Sequence, residues 1–234
     1  MRTNVYIDGF NLYHGLKELA ANEPVAVSWK WLDVRELSER IVPRDQVQSV
    51  RYFTARVSAD GTDPGIQLRQ QTYIRALETL PGLTVHYGQF MVQKKRMPLV
   101  DPPGRVRRAL LRRLGMDLKV HPDGNTSVRV WRTEEKGSDV NLATYLLADA
   151  FRGDFDKAVV ISNDTDLCEP VRMVVQDLGL PVVVVNPRGH RQPAAALKRV
   201  ASETRRVRVA AIVAAQLPTS LTDVHGSITK PAGW

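Results

Sequence analysis

The sequence predicts an α/β fold: a three-layer, Rossmann-like α/β/α domain whose central sheet is mostly parallel. Strand-like and helix-like segments alternate along the chain, and the strands Ala158–Ile161 and Val182–Val185 contain only apolar residues. Continuously apolar strands are typical of a parallel sheet that helices cover on both faces. With 234 residues, 43% of them apolar, the chain is long enough to bury one core of this kind.

In the first half of the chain, strands and helices follow one another in strict alternation. Apolar residues at helical spacing indicate the helices, and β-branched or aromatic residues indicate the strands. Turn residues close the segments, with Asp8-Gly9 after the first strand and Pro81-Gly82 after the second helix. The predicted strands are Asn4–Ile7, Val47–Val57 and Leu83–Val92, and the predicted helices are Phe10–Ala20 and Ile66–Leu80.

The second half continues the pattern after a basic stretch. Strands are predicted at Val128–Thr133, Ala158–Ile161 and Val182–Val185, with a helix at Asp139–Phe151 and another that ends at Leu178. We therefore assign residues 1–200 to one domain. Residues 201–234 are predicted to be a C-terminal extension, polar beyond Pro218 and partly disordered.

The stretch 94–119 has nine basic residues and only two acidic ones, Asp101 and Asp117. Its prolines favour an exposed, irregular insertion over a packed element. Such an insertion could follow an RNA backbone, and the alternative is a solvated loop that binds nothing. The leading candidates for phosphate contacts are Arg105, Arg107, Arg108, Arg112 and Arg113.

Composition narrows the function classes. The net charge of +8 and the pI near 9.8 suit an anionic partner, most commonly nucleic acid. Cys168 is the only cysteine, which excludes an internal disulfide and a zinc site built from several cysteines. No secretory signal and no stretch of 18 apolar residues is present, so we expect a cytoplasmic protein without a membrane partner.

Acidic residues recur where predicted strands end and helices begin. Asp8 ends the first strand, Asp164 and Asp166 follow Ala158–Ile161, and Asp139 opens a helix. In parallel sheets these points share one edge, so the carboxylates are expected to converge there. Clustered carboxylates repel unless a cation offsets them, and Mg²⁺ or Mn²⁺ suits oxygen ligands. A metal held there lowers the pKa of water and stabilises charge on phosphate, which is the chemistry of phosphodiester hydrolysis.

Each acid also has a simpler interpretation. Asp8-Gly9 could be a strand-to-helix turn, and Asp139 could be the N-cap of its helix. Asp166, three residues before Glu169, resembles a capping pair. These alternatives stay open for each residue taken alone, and the functional prediction depends on their common location.

Three ordered segments resemble the NYN family, a branch of the PIN-like nuclease superfamily. They are Val-Tyr-Ile-Asp8-Gly-Phe-Asn11-Leu-Tyr, Glu-Lys-Gly-Ser-Asp139-Val-Asn-Leu-Ala and Val-Ile-Ser-Asn-Asp164-Thr-Asp166-Leu. The similarity spans residues 3 to about 200. It implies a PIN-like fold and a metal-dependent endoribonuclease that acts on single-stranded or structured RNA, and it leaves pairing into a homodimer open.

The family pattern implies roles for individual residues. Asp8, Asp139 and Asp164 would hold the metal, Asp166 would be a fourth acid, and Asn11 would orient a ligand or contact substrate. Ser162 and Asn163 would position phosphate or water. The sequence departs from the pattern at Tyr145, where many relatives carry another Asp, and we interpret Tyr145 as core packing.

The remaining candidate side chains have weaker support. Arg188 follows the strand that ends at Val185 and could contact phosphate or belong to a polar loop. Trp131 and Phe90 could stack on bases, but strand aromatics usually lie in the core, which is the favoured interpretation. Cys168 is expected to be buried rather than reactive.

Several other chemistries lack their residues. The sequence has no Gly-x-Gly-x-x-Gly after the first strand, no Walker loop and no Gly-x-Ser-x-Gly, and its histidines lack metal-ligand spacing. Two alternatives to the nuclease remain. One is a non-catalytic RNA-binding module of the same fold, and the other is a pyridine-type hydroxylase, an activity assigned to some relatives of the family.

Overall fold

A computed structural model describes residues 1–22, 29–57, 63–101, 103–189 and 192–234, with the side chains of 133–135 left out. The chain divides into two compact units. The larger unit comprises Met1–Gln89 and Gly137–Trp234, and the smaller unit comprises Phe90–Lys136. Among the described residues, no helix is long and apolar enough to cross a membrane.

The strands and helices have the following bounds. The strands are β1 (Arg2–Asp8), β2 (Gln46–Ala55), β3 (Leu83–Pro98), β4 (Leu118–Val120), β5 (Thr126–Lys136), β6 (Lys157–Ile161), β7 (Val182–Asn186), β8 (Glu203–Arg206), β9 (Ser220–Asp223) and β10 (Gly226–Thr229). The helices are α1 (Gly9–Asn22), α2 (Val34–Ile41), α3 (Ile66–Glu78), α4 (Arg105–Arg113), α5 (Ser138–Arg152), α6 (Cys168–Arg172), α7 (Ala195–Val200) and α8 (Val209–Ala214).

The sheet of the larger unit has the strand order β3-β2-β1-β6-β7-β8, and every neighbouring pair is parallel. This arrangement confirms the predicted α/β class with a mostly parallel central sheet. Val5 of β1 lies between Val50 of β2 and Val159 of β6, so β1 is a central strand that is paired along both of its edges. The carboxyl ends of β1 and β6 are therefore adjacent.

Helices cover both faces of this sheet, as the apolar strands predicted. Alternate residues of β1 enter different cores, because successive side chains of a strand point to opposite faces. Val5 and Ile7 join a core with α1, α2, α3 and α8, whereas Tyr6 joins a core with α5, α6 and α7. The fold is thus a three-layer α/β/α arrangement.

The C-terminal segment differs from its prediction as a partly disordered extension. Instead, β8 joins the sheet beside β7, and β9 and β10 form an antiparallel hairpin. Ile228 of this hairpin is buried, and the ring of Trp234 lies 5.9 Å from that of Tyr73. A few apolar side chains, separated by polar residues, hold this segment in place. Because they follow no regular spacing, the sequence did not predict that the segment is ordered.

The smaller unit corrects the prediction of an irregular basic insertion at 94–119. This segment contains the end of β3, the helix α4 and the strand β4, which pairs antiparallel with β5. Within the unit the strand order is β4-β5-β3. The exposure was predicted correctly, because α4 buries none of its residues. Pro98 ends β3, and Gly104 is the N-cap of α4, so the punctuating residues mark element ends.

Candidate active site

The candidate site lies at the carboxyl edge of the parallel sheet. Asp8 is the last residue of β1, and Ser162, Asn163 and Asp164 directly follow β6. Because β1 and β6 are neighbouring parallel strands, residues 154 positions apart meet at this edge. Apolar β6 fixes the place where the polar Ser162 emerges.

Asp8 is held by hydrogen bonds from both sides. Its side chain is 5% exposed. The backbone N–H of Asn11 donates to Asp8 Oδ1 at 2.9 Å, and the hydroxyl of Ser162 donates to Asp8 Oδ2 at 2.9 Å. Gly9 lets α1 start at once after β1, because a Cβ there would come within 2.8 Å of the Phe53 carbonyl oxygen.

Further hydrogen bonds connect Asp164 to Asp8. The backbone N–H of Asp164 donates to Ser162 Oγ at 3.1 Å, so a single hydroxyl connects Asp8 with the residue that follows β6 by three positions. Asn11 Oδ1 accepts from the backbone N–H of Asn163 at 3.1 Å, and Asn163 Oδ1 accepts from Ala194 at 2.8 Å. We call Asp8, Asn11, Ser162, Asn163 and Asp164 the Asp8 network.

Asp164 and Asp166 differ in burial and in their role in the turn after β6. Asp164 is half-buried and caps the turn Thr165–Leu167, since its Oδ1 accepts from the backbone N–H of Asp166 at 3.0 Å. The cap is therefore Asp164 rather than Asp166, which corrects the capping pair proposed for Asp166 and Glu169. The side chain of Asp166 is exposed, and Glu169 pairs with Arg172.

Asp139 lies in the first turn of α5 and is half-buried. The N-cap of α5 is Gly137, in the left-handed conformation, so the alternative that Asp139 is the N-cap is wrong. Asn141 in the same turn donates to the carbonyl of Tyr87, which lies near the carboxyl end of the β3 segment that pairs with β2. The start of α5 thus belongs to the same edge of the sheet as Asp8.

The oxygen atoms at the site are of the types that hard divalent cations prefer as ligands. Asp8 and Asp164 offer carboxylate oxygens and Ser162 a hydroxyl, and Mg²⁺ commonly uses one or two carboxylates and keeps several waters. Among the residues that the structure describes, no group of three or more acidic, histidine or cysteine side chains is close enough to hold a metal. Convergence of Asp139 with Asp8 and Asp164 therefore stays a prediction.

The predicted phosphate-binding arginines fall into two places. All five that the insertion supplied belong to α4 of the smaller unit: Arg105, Arg107, Arg108, Arg112 and Arg113. Arg188 belongs to the larger unit, and its guanidinium lies 3.3 Å from the carboxylate of Glu18. Its backbone N–H donates to Asn186 Oδ1 at the end of β7.

Positive charge is concentrated in the smaller unit. Residues 90–136 contain twelve Lys and Arg and five Asp and Glu, a net charge of +7 of the chain's +8. Trp131 of β5 is 68% exposed, with the ammonium group of Lys94 4.7 Å from its ring. The interpretation of Trp131 as a core residue is therefore wrong, whereas Phe90 is half-buried. A basic surface with an exposed aromatic ring is typical of single-stranded nucleic-acid binding.

Two further predictions concern packing. Tyr145 is half-buried, its ring lies 4.1 Å from that of His86, and the Arg51 guanidinium lies 4.8 Å from it, which confirms that Tyr145 is a packing residue. Burial raises the pKa of the Cys168 thiol, which is half-buried and so disfavoured as a thiolate.

Sequence reasoning missed Tyr52 and Thr54, which lie on β2 beside the site. Both are buried, and they sit on the same face of the strand two residues apart. Burial, and then the charge of Asp8, raise the pKa of Tyr52 well above its ordinary value, so its hydroxyl stays protonated and lies near Asp8. The alternating pattern of β2 indicated that one face of the strand is buried. It did not show whether a hydroxyl on that face is packed in the core or can be reached by a ligand.

Comparisons with known proteins give one match to a family model. Residues 101–208 match the family model described as the NYN domain, which confirms the predicted resemblance over this part of the chain. The matched region includes the start of α5 and the segment after β6, and therefore Asp139, Ser162 and Asp164.

Two individual proteins are similar along most of the chain. A 6-hydroxy-3-succinoylpyridine 3-monooxygenase of Pseudomonas putida is 27% identical over 257 residues, covering 100% of this chain and 75% of its own. The crystal structure of a protein of unknown function from Vibrio parahaemolyticus has a TM-score of 0.47 and 14% identity, covering 88% of this chain and 93% of its own.

Proposed function

With the NYN-domain match over residues 101–208 as the premise, we propose that this chain is a metal-dependent endoribonuclease. Its substrate is RNA, and its reaction is hydrolysis of the phosphodiester bond. The observation that carries the proposal is the hydrogen-bonded connection of Asp8 to Asp164 through Ser162 at the carboxyl edge of a parallel sheet. Ligand and active sites of open α/β sheets occupy this edge.

Each residue of the Asp8 network has a distinct task in this proposal. Asp8 and Asp164, with Asp139 as the third ligand, would hold Mg²⁺ or Mn²⁺, and the ion would supply positive charge at the phosphate and acidify a water molecule. Ser162 orients the carboxylate of Asp8, since it donates to Oδ2. Asn11 fixes the position of Asn163 through its Oδ1, and so sets the path of the chain between β6 and Asp164.

Proton transfer requires an acceptor close to the attacking water. Asp164 Oδ1 already accepts from the N–H of Asp166, while Oδ2 accepts no hydrogen bond from the described residues. We assign Asp164 the role of accepting the water proton, with exposed Asp166 assisting. The water oxygen then bonds to phosphorus, and the bond from phosphorus to the leaving oxygen breaks. The leaving oxygen takes up a proton from bulk water, and Asp164 returns the proton that it accepted to bulk water.

The smaller unit is proposed to bind the RNA backbone. Its net charge of +7 supplies the long-range attraction that polyanion binding needs, and α4 exposes most of its arginines. Exposed Trp131 provides a surface on which a base can stack. This assignment places Arg105, Arg107, Arg108, Arg112 and Arg113 in binding rather than in chemistry.

The direct test is cleavage of end-labelled single-stranded RNA by the purified chain with Mn²⁺ or Mg²⁺. Asp8→Asn and Asp164→Asn are expected to lower the cleavage rate at least 100-fold, because general-base and charge-stabilising groups contribute on this order. Asparagine at position 8 can still accept from Asn11, so the variant is expected to fold. Chelation with EDTA is expected to abolish cleavage.

Asp154→Asn is the matched control, because Asp154 is exposed and precedes the amino end of β6. It is expected to cut RNA at the wild-type rate. Cleavage that persists in Asp8→Asn or in EDTA would refute the assignment. Binding of RNA without cleavage by the wild type would instead indicate a non-catalytic RNA-binding module.

A second candidate function is hydroxylation of a small aromatic ring. The relative from Pseudomonas putida favours it, because its similarity extends over the whole of this chain. Incubation with a hydroxypyridine, O₂ and a reduced nicotinamide or flavin distinguishes the two functions. Substrate-dependent consumption of the reductant with a hydroxylated product would support the oxygenase, and its absence, with RNA cleavage present, would support the nuclease.

A further inference from the structure

A cavity of about 290 Å³ opens in the larger unit between α1, α3 and β2. Its walls are unusually aromatic, since they contain six of the chain's fifteen Phe, Trp and Tyr residues. These six are Phe10, Tyr13, Trp29, Tyr52, Tyr73 and Trp234. We call this space the aromatic cavity. Its volume suits one ring system with a small substituent and is too small for a folded chain segment.

Two hydroxyl groups in the aromatic cavity lack partners. Tyr52 is 7% exposed and Thr54 is 3% exposed, and neither hydroxyl has a hydrogen bond within the part of the chain that the structure describes. The other tyrosine of the same wall, Tyr73, donates to the carbonyl of Leu32. Neither oxygen is among the fully enclosed side-chain atoms without a partner in the described part of the chain, so both are accessible from the cavity. A ligand in the cavity can therefore form hydrogen bonds with these two hydroxyls.

The aromatic cavity begins directly beside the Asp8 network. Gly9, which follows Asp8, forms part of its wall. A Cβ at Gly9 would lie 2.8 Å from Tyr52 Oη, so the hydroxyl reaches the backbone that joins β1 to α1. The charge of Asp8 also acts on the Tyr52 hydroxyl. A ligand bound to Tyr52 is therefore adjacent to the candidate active site.

The charged residues of the wall are cationic in balance. Lys30 and Arg69 carry two positive charges, and Asp63, which pairs with Arg69, carries one negative charge. The Lys30 ammonium group lies 5.6 Å from the ring of Trp29. His14 contributes no charge at neutral pH, because burial and then the charges of Lys17 and Arg188 lower its pKa.

We propose that the aromatic cavity binds a planar heteroaromatic ring, with Tyr52 and Thr54 as the hydrogen-bonding contacts beside Asp8. Two sources offer this chemistry: a nucleotide of the bound RNA, or a free heteroaromatic acid. The location next to the scissile bond rests on the proposed function, whereas the binding itself does not. The nucleotide would place a base in the cavity and its phosphate toward the Asp8 network.

The experiment measures binding without turnover. The probes are the four ribonucleoside 5′-monophosphates and pyridine-3-carboxylate, each titrated into the full chain and followed by calorimetry and by the fluorescence of Trp29 and Trp234. Binding of one probe class is expected, with quenching of Trp fluorescence. Preference for a nucleotide identifies RNA as the source, and preference for pyridine-3-carboxylate identifies a free acid. Both outcomes support the site.

Variants locate the binding. Tyr52→Phe and Thr54→Val remove one hydroxyl each and keep the shape, and each is expected to weaken binding about fivefold, as the loss of one hydrogen bond does. Tyr87→Phe is the matched control, since Tyr87 is exposed and does not line the cavity. It is expected to bind with wild-type affinity.

Two results would overturn the proposal: no binding of any probe at millimolar concentration, or binding that Tyr52→Phe and Thr54→Val leave unchanged. The RNA-cleavage assay is run on the same variants. In the wild type, RNA cleavage without binding of any probe removes the cavity assignment alone, whereas probe binding without RNA cleavage removes the nuclease alone.

Discussion

Among single residues, Asp149 is a carboxylate that the larger unit encloses completely. It is fully buried, and its carboxylate accepts two hydrogen bonds from the Arg51 guanidinium, at 2.8 and 3.0 Å, and one from the Tyr6 hydroxyl at 2.7 Å. Burial and this bond to Asp149 raise the pKa of Tyr6 well above its ordinary value. These contacts join α5 to β1 and β2, behind the site.

Asp149→Ala is expected to lower the free energy of unfolding by about 3 kcal/mol, because it leaves Arg51 and Tyr6 without their partner inside the protein. In a chain of this length that corresponds to a fall in Tm of roughly 6–12 °C. Chemical denaturation followed by circular dichroism measures the free energy of unfolding, and a thermal scan measures the Tm.

Asp156→Ala serves as the comparison, since Asp156 makes an exposed ion pair with Arg2. Exposed pairs contribute about 0–1 kcal/mol, so the change is expected to be small. Equal losses in the two variants would show that the Asp149 contacts add nothing beyond a surface pair.

Among the elements, the C-terminal hairpin depends on an ion pair with α3. Asp223 of β9 accepts from the Arg75 guanidinium at 2.9 and 2.7 Å and from the backbone N–H of His225 at 2.8 Å. The hydrogen bond from Arg75 chiefly lowers the pKa of Asp223 from 3.8 to about 2. The folded state therefore binds the proton of Asp223 less readily than the unfolded chain does.

This difference predicts how stability depends on pH. A carboxylate with a lowered pKa in the folded state stabilises the fold above pH 4, and the contribution disappears as the pH falls from about 4 to about 2. Asp223→Asn is expected to be less stable than the wild type at pH 6 and to lose less stability between pH 4 and pH 2. Thermal unfolding of both proteins across this range measures the difference. Parallel curves would contradict the assignment.

Helix α4 is the second element with a distinct expectation. Its arginines are mostly exposed and it buries no residue, so their replacement should not disturb packing. Arg105→Gln with Arg107→Gln is expected to reduce the slope of log affinity against log salt by about 1.4, since each lost phosphate contact to single-stranded RNA removes about 0.7. Fluorescence anisotropy with labelled RNA at several salt concentrations measures the slope.

Lys17→Gln with Arg44→Gln removes the same charge from exposed positions of the larger unit. This double variant is expected to keep the wild-type slope. If both double variants lower the slope equally, net charge rather than α4 determines binding.

For the whole molecule, most of the net positive charge belongs to the smaller unit, whereas the Asp8 network belongs to the larger unit. The larger unit contains the Asp8 network and carries a net charge of only +1, because the smaller unit accounts for +7 of the +8. A Cβ at Gly137 would lie 3.9 Å from the Cα of Gly88, so the two points where the larger unit is interrupted are close together.

Replacement of Phe90–Lys136 by a short Gly-Ser linker is expected to leave the parallel sheet folded, with a cooperative thermal transition. RNA binding is expected to weaken at least 100-fold at 50 mM salt and to lose most of its salt dependence, because most phosphate contacts are gone. Circular dichroism and anisotropy measure the two effects. Wild-type RNA affinity in the shortened chain would contradict the assignment of binding to the smaller unit.

Local patterns were sufficient for the sheet, the main helices and the strand-end positions of Asp8 and Asp164. Strand and helix periodicity and turn residues act over a few neighbouring residues, so they can be recognised without knowledge of the fold. The short strands β4 and β8–β10 lacked such a pattern, because their apolar contacts are few and come from distant parts of the chain. Helix α2 was missed although Val34, Leu37 and Ile41 follow helical spacing after the N-cap Asp33.

Only the tertiary structure decided which of these residues meet. The strand order places β6 beside β1, and this brings Ser162 to Asp8 across 154 residues. It also leaves Trp131 exposed on a strand and the hydroxyls of Tyr52 and Thr54 inside an aromatic cavity. A sequence pattern shows that one face of an element is buried, but the partner of a side chain depends on which distant segment packs against that face.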